Sequence, residues 1–148
     1  MNKDNLFEQL KIDEGVKYEV YKDHLGYPTF GVGHLILEKD PEYGCEDGTP
    51  VSEERVFEAF EKDVATAESE CVALYGDDFS TWQGEVQEIL VNMMFNLGRP
   101  RLGKFKNFRA ALEEQDYARA AVEGRDSLWY RQVGNRAERL MVRFEALG

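Results

Sequence analysis

The chain reads as an α+β protein in which a small antiparallel sheet and a set of helices are segregated along the sequence. Three observations predict this. Glycine-marked, β-rich sequence is confined to residues 18–37, apolar residues recur at helical steps over 52–74, and helical periodicity alone follows residue 80. The expected organisation is a single domain with an N-terminal β-containing lobe over about 13–55 and a connecting helix over about 52–74. A helical lobe over about 75–148 also takes in helix 4–14, and a ligand cleft is expected between the lobes.

Each element has a local cause. Asp4 or Asn5 caps a first helix with Leu6, Phe7 and Leu10 inward, and Gly15 ends it just after Glu14. Tyr18 to Asp23 reads as a strand, Leu25-Gly26 as a turn, and Tyr27 to His34 as a second strand. Leu35, Ile36 and Leu37 offer a short third. Pro41, Gly44, Asp47-Gly48 and Pro50 make residues 40–50 a loop. Ser52 caps the long helix, with Glu53 and Glu54 favourable in its first turn and Val56, Phe60, Val64, Ala67, Cys71 and Leu74 as its stripe. Ser80 is expected to start an apolar helix with Trp82, Val86, Ile89, Leu90, Met93 and Leu97 inward, stopped by Gly98. Shorter helices follow at about 106–114, 116–124 and 126–131. Asn135 caps a last one with Ala137, Leu140, Met141, Phe144 and Leu147 inward.

Composition narrows the function. At 148 residues the chain can build a core without metal or disulfide staples. Cys45 and Cys71 lack metal-ligand spacing and form no disulfide framework. Cys71 reads as a buried small hydrophobe and Cys45 as a free thiol in a polar loop. No cofactor and no metal is implied. No apolar run behind a basic head begins the chain and none reaches membrane-spanning length, so the expectation is no signal peptide and no membrane insertion. The net charge is −11. Residues 1–74 hold 18 acidic and 7 basic side chains, whereas residues 75–148 hold 11 of each. Nucleic-acid binding by phosphate neutralisation is therefore not expected. Arg99, Arg101, Lys104, Lys106 and Arg109 form a local exception, read either as a solvated loop and helix start or as a contact face for an anionic polymer.

Among the carboxylates Glu14 stands out. It ends a helix, where the macrodipole disfavours a further negative charge, which suits a general acid. Asp23 lies beside a turn, where it stays solvated and ionised. One protonated and one charged carboxyl are what glycosidic hydrolysis needs. With 29 acidic residues, many such pairs exist, and this one is not singled out by chemistry alone.

The wider pattern singles it out. Ile12-Asp13-Glu14-Gly15, Tyr21-Lys22-Asp23 and Gly26-Tyr27-Pro28-Thr29-Phe30-Gly31-Val32-Gly33-His34 resemble the start of the T-even bacteriophage lysozymes. The resemblance continues through Phe60, Asp63 and Val64, Asn92 to Gly98, Phe105, Asn107, Trp129-Tyr130, Asn135-Arg136-Ala137 and Arg139, in the family's order over about 12–144. It implies a lysozyme-like fold and an endolysin-type enzyme. Such an enzyme hydrolyses the β-1,4 bond between N-acetylmuramic acid and N-acetylglucosamine of bacterial peptidoglycan for host cell lysis. Carried over by position, Glu14 protonates the leaving oxygen, Asp23 activates a water on the opposite sugar face, and Thr29 holds that water. An inverting enzyme separates the two carboxyls by roughly 6.5–9.5 Å. Gly33, Phe95 and Asn96 match positions bordering the substrate. Arg136 matches the arginine that pairs with the catalytic glutamate, Asp13 and Arg139 match a second pair, and His34 with Asp63 matches a structural salt bridge. The resemblance further implies a monomer, and the expected lack of a signal peptide suggests accumulation in the host cytoplasm before release to the wall.

Departures bear on specificity. Leu25 replaces an acidic residue that borders the substrate peptide, and Asn96 is shorter than the family glutamine. The segment from His34 to Ser52 is too short for a small extra helix, and the chain lacks the family's tail. The acidic net charge also opposes attraction to an anionic wall. Two other readings stay open: a lytic transglycosylase on the same polymer, and an inactive peptidoglycan-binding or virion structural module.

Overall fold

A computed structural model describes residues 1–148. It contains eight helices and one three-stranded antiparallel sheet, an α+β architecture. The chain separates into two compact units. The first is Lys3–Thr66; the second is Ala67–Gly148 with Met1–Asn2. Helix α1, which the sequence grouped with the later helices, falls in the first unit, and α2 supplies residues to both.

In the first unit, α1 (Lys3–Glu14) leads into β1 (Lys17–Lys22), β2 (Pro28–Gly31) and β3 (His34–Leu35), ordered β1-β2-β3. Leu6, Leu10, Val20, Phe30, Val32, Ile36, Val56, Phe60 and Val64 are buried. Phe7 of α1 packs on Phe57 and Phe60 of α2 (Glu53–Tyr75), with ring centroids 5.0 and 4.6 Å apart. Ser52 caps α2 as expected, its Oγ accepting from the Arg55 N–H at 3.1 Å.

The expected second strand, Tyr27 to His34, is too long. Gly31 and Gly33 take φ of +65° and +64°, so the chain reverses there and His34 opens β3, opposite Phe30. The expected third strand correspondingly begins one residue early and ends at Leu35. A Cβ at Gly31 would also stand 3.2 Å from Val56 Cγ1, so the glycine lets β2 lie close on α2. The loop at 40–50 is not all loop at its end. Val20 N–H donates to Thr49 O, Gly48 N–H to Val20 O and Val51 N–H to Tyr18 O, so this segment pairs with the free edge of β1.

A charge network fastens the residues after β3 to α2. His34 Nδ1 lies 2.8 Å from Asp63 Oδ2, and His34 Nε2 lies 2.9 Å from Asp40 Oδ2. Asp40 also accepts from the Leu37 N–H and from Arg55, whose guanidinium reaches Glu42 at 2.8 Å. Burial works against a charged His34 ring, but the hydrogen bonds and negative charges of Asp63 and Asp40 outweigh it and its pKa is raised.

The second unit is helical. After α2 a 3₁₀ turn (Asp77–Thr81) precedes α3 (Gly84–Leu97), followed by α4 (Arg99–Leu102), α5 (Lys106–Glu113), α6 (Tyr117–Arg125), α7 (Leu128–Val133) and α8 (Asn135–Leu147). The expected start of α3 at Ser80 is wrong. Residues 77–81 form the tighter turn, Gln83 is the extended cap residue, and Trp82 packs against Tyr75 and Phe79 outside the helix. Helix α4 was not anticipated: it is a single turn, too short to show a period, with Pro100 tolerated in its first turn. Gly134, not Asn135, caps α8. Helix α3 is buried almost throughout, with Val86, Ile89, Leu90, Val91 and Met93 inaccessible, and α6 packs along α5 and α8. Asp116 and Ser127 cap α6 and α7 through side-chain oxygens.

This core also holds charge. Arg143 of α8 donates to Glu85 at 2.6 Å and to Glu88 at 2.9 Å, and Glu88 is only 2% exposed. Such a pair stabilises little against apolar residues but is costly to break from one side, since a buried carboxylate then loses a compensating cation.

Two outcomes follow. Arg143→Met should destabilise the protein by about 3 kcal/mol, and adding Glu88→Leu should recover most of that loss. Urea unfolding of both single variants and the double checks this, and additive losses would refute it. A raised His34 pKa means that its stabilisation is whole below its unfolded pKa, about 6.5, and is lost as pH rises through the folded value. Urea midpoints from pH 6 to 9 should therefore fall for the wild type and stay flat for His34→Asn.

Candidate functional site

The first unit holds all three of the expected catalytic residues, Glu14, Asp23 and Thr29. Glu14 is the last residue of α1, with Gly15 at φ +77° ending the helix behind it. A Cβ at Gly33 would lie 3.9 Å from Glu14 Oε2, so the backbone of the Gly31–Gly33 reversal stands beside the Glu14 carboxylate. Gly33 is thus a point where backbone and any bound ligand can approach closely.

Asp23 follows β1 and organises the hairpin. Its Oδ1 accepts the N–H groups of Leu25 and Tyr27, both at 2.9 Å. Its own N–H donates to Tyr27 O, and Gly26 N–H donates to Asp23 O. This local ring of bonds is the turn that an aspartate side chain builds best. It fixes the carboxylate through Oδ1 and leaves Oδ2 for another partner. Thr29 is 3% exposed and donates its hydroxyl proton to Tyr27 O at 3.0 Å. With the proton committed, the oxygen presents lone pairs as an acceptor.

Tyr21 joins these groups, and sequence reasoning had placed it only as a strand residue. It pairs with Thr29 in the β1–β2 register, so the two side chains share a face of the sheet. Burial raises its phenol pKa, and the negative charges of Asp23 and Glu14 raise it further. Lys17 Nζ lies 4.3 Å from its ring centroid. The available signal was the short step from Tyr21 to Asp23, which keeps the two residues close along the chain.

His34 and Asp63 meet in the charge network, to which Asp40 adds an acid the sequence did not flag. Asp13 is on α1, whereas Phe95, Asn96, Arg136 and Arg139 are in the second unit. Asn96 Oδ1 accepts the Trp129 indole N–H at 2.6 Å, leaving its NH₂ as the group to offer a ligand. Arg136 is buried and donates to Asn92 Oδ1 at 3.0 Å and to Asn92 O at 3.3 Å. Cys45 is exposed and free; Cys71 is buried and free, its thiol pushed up to about 12 by burial and by Glu68 and Glu70. No cluster of three or more His, Cys, Asp or Glu side chains is placed to hold a metal, and no helix is long and apolar enough to cross a membrane.

Comparison with known proteins supplies the family. The phage lysozyme family profile matches residues 11–146. The chain is 30% identical to "Probable T4-type lysozyme 2" of Dictyostelium discoideum, over 95% of this chain and 94% of that protein. It is 32% identical to "Pre-baseplate central spike protein Gp5" of Enterobacteria phage T4 over 93% of this chain, which spans only 27% of that longer protein. A match at 28% identity to "Peptidoglycan hydrolase gp36" of Pseudomonas phage phiKMV covers 94% of this chain and 15% of the relative. With a family profile spanning nearly its whole length, the chain belongs to the phage lysozyme family.

Proposed function

We propose that the protein is a muramidase that hydrolyses the β-1,4 bond between N-acetylmuramic acid and N-acetylglucosamine in bacterial peptidoglycan. The observation that carries this reading is that one compact unit holds Glu14 beside the backbone of Gly33, Asp23 with its Oδ2 left open by the hairpin, and Thr29 across from Tyr21. Glu14 gives its proton to the glycosidic oxygen as the bond to the anomeric carbon breaks. Asp23, through the Oδ2 that the hairpin does not use, takes a proton from a water attacking the opposite face. Thr29, with its hydroxyl proton directed at Tyr27 O, accepts a hydrogen bond from that water. Attack from the face opposite the leaving group inverts the anomeric centre. Phe95 and Asn96 are proposed glycan contacts on the second unit, with Arg136, Arg139, Asp13, His34 and Asp63 in support. The proposed setting is host cell lysis, with the protein held in the host cytoplasm until release.

Three experiments test the assignment. Glu14→Gln and Asp23→Asn should each lower cleavage of purified peptidoglycan by about 10²–10⁴-fold while remaining folded. Asn keeps an oxygen for the Leu25 and Tyr27 N–H groups. Wild-type products should carry one added water per cut, and anhydro-sugar ends would instead establish a transglycosylase. Tyr21→Phe keeps the ring and its Lys17 contact but removes the hydroxyl. It should leave thermal stability unchanged, lower kcat by about tenfold and move the pH–rate profile, as expected for a polar group worth about 1.5 kcal/mol beside two carboxylates. Wild-type kinetics in Tyr21→Phe would reduce Tyr21 to packing.

A further inference from the structure

The second unit carries a groove of about 320 Å³ that the reaction above does not use. It opens between the 3₁₀ turn that precedes α3 and the turn that joins α5 to α6. Trp82 and Tyr117 supply its aromatic lining, and Asp78, Gln83, Glu113 and Gln115 its polar lining. The volume is at the lower end of the roughly 300–1,000 Å³ of ordinary ligand sites.

The aromatic groups are held in place. Trp82 is half-buried and packs on Tyr75 and Phe79, with ring centroids 5.6 and 5.9 Å away, and Tyr117 stacks on Phe144. The polar groups are not used up by the fold. The Trp129 indole N–H is bonded to Asn96, whereas that of Trp82 meets no acceptor of the chain. Gln83 precedes α3 without capping it through its side chain. Glu113 gives Oε1 to Arg109 and keeps Oε2. Gln115 is the sole non-glycine residue with a left-handed backbone, φ +58°, at the helix-ending position where glycine is the favoured residue. The fold thus carries an exposed amide at the groove where a residue without a side chain would be easier to hold.

Chemistry separates the candidate ligands. No basic residue lines the groove, so an anion is not attracted. A cation would use the carboxylates but leave the indole N–H and both amide NH₂ groups without an acceptor. A sugar uses all of them. Its hydroxyls donate to carboxylate and amide oxygens and accept from the N–H groups, while the C–H face of its ring covers an aromatic one.

We propose that this groove is a second glycan-binding site, which holds a stretch of N-acetylated sugar strand while Glu14 and Asp23 act on another. The identity of the strand rests on the muramidase reading, whereas recognition of the sugar does not. A second hold on one polymer raises the local concentration of scissile bonds, so its loss raises KM and leaves kcat alone.

The probe is a soluble N-acetylglucosamine tetramer, titrated into the full chain with Glu14→Gln so that the sugar is not cut. The chain has two tryptophans, Trp82 and Trp129, so NMR reads the Trp82 indole N–H by itself. That signal should shift saturably, and with Gln83→Ala/Gln115→Gly added it should need about tenfold more sugar, the worth of two hydrogen bonds. The double substitution removes no helix cap and puts glycine where the backbone favours it, so Tm should not fall. With Glu14 intact, the same pair should raise KM on intact wall by about tenfold at unchanged kcat. An unmoved Trp82 signal, undiminished binding by the double variant, or an unchanged KM on wall overturns the proposal. Displacement of the sugar by tetramethylammonium would also overturn it, by making the groove a cation site. Cleavage of wall with no sugar at Trp82 refutes the groove alone. Sugar bound at Trp82 without cleavage of wall refutes the muramidase reading and leaves the glycan site standing.

Discussion

The first unit depends on one close approach, that of β2 to α2 at Gly31. The hydrogen that stands in for a side chain there faces Val56, where even a methyl group would come within 3.2 Å. The lack of a side chain there lets β2 lie this close to α2, and three neighbours inherit the setting. Phe30 is fully buried, Thr29 is brought opposite Tyr21, and the reversal that follows puts Gly33 beside Glu14. A packing constraint between a strand and a helix thus sets positions that chemistry uses. The positive φ at the same residue means that sterics and backbone conformation select glycine there together.

Beyond the buried Ile36, the residues after β3 are held mainly by charge. A short segment without regular structure has little apolar surface to bury, and Asp40, Glu42, Arg55, Asp63 and His34 take over that role. The network also accounts for part of the acidic composition. Residues 3–66 carry 16 acidic and 7 basic side chains, and several of those acids face a cation within their own unit. An acidic sequence therefore need not present an evenly acidic surface. The second unit pairs most of its arginines internally and leaves Arg101 and Lys104 turned to solvent.

Regular, strongly periodic segments were legible in the sequence. The stripe from Val56 to Cys71 is buried as its spacing requires, and Gly15 and Ser52 bound their helices where their chemistry places them. Three features were not legible, each for a physical reason. Val32-Gly33 continues an alternating pattern, so only the backbone angle of Gly31 and Gly33 distinguishes a turn from a longer strand. Helix α4 is a single turn, too short to show a period. The pairing of residues 48–51 with β1 uses backbone groups, which leave no mark on side-chain pattern. At the site, Glu14, Asp23 and Thr29 were picked out by family resemblance, not by chemistry, among many carboxylates. The register that brings Tyr21 opposite Thr29 exists only in three dimensions.

Asp23 has two employments. Its Oδ1 closes the hairpin by accepting from Leu25 and Tyr27, whether or not its other oxygen ever meets a water. Selection for folding and selection for chemistry therefore act on one position. A descendant that abandoned wall cleavage would still be pressed to keep an aspartate or asparagine there. An acid at this position, followed across diverging lineages, would record the persistence of a turn as much as the persistence of an enzyme.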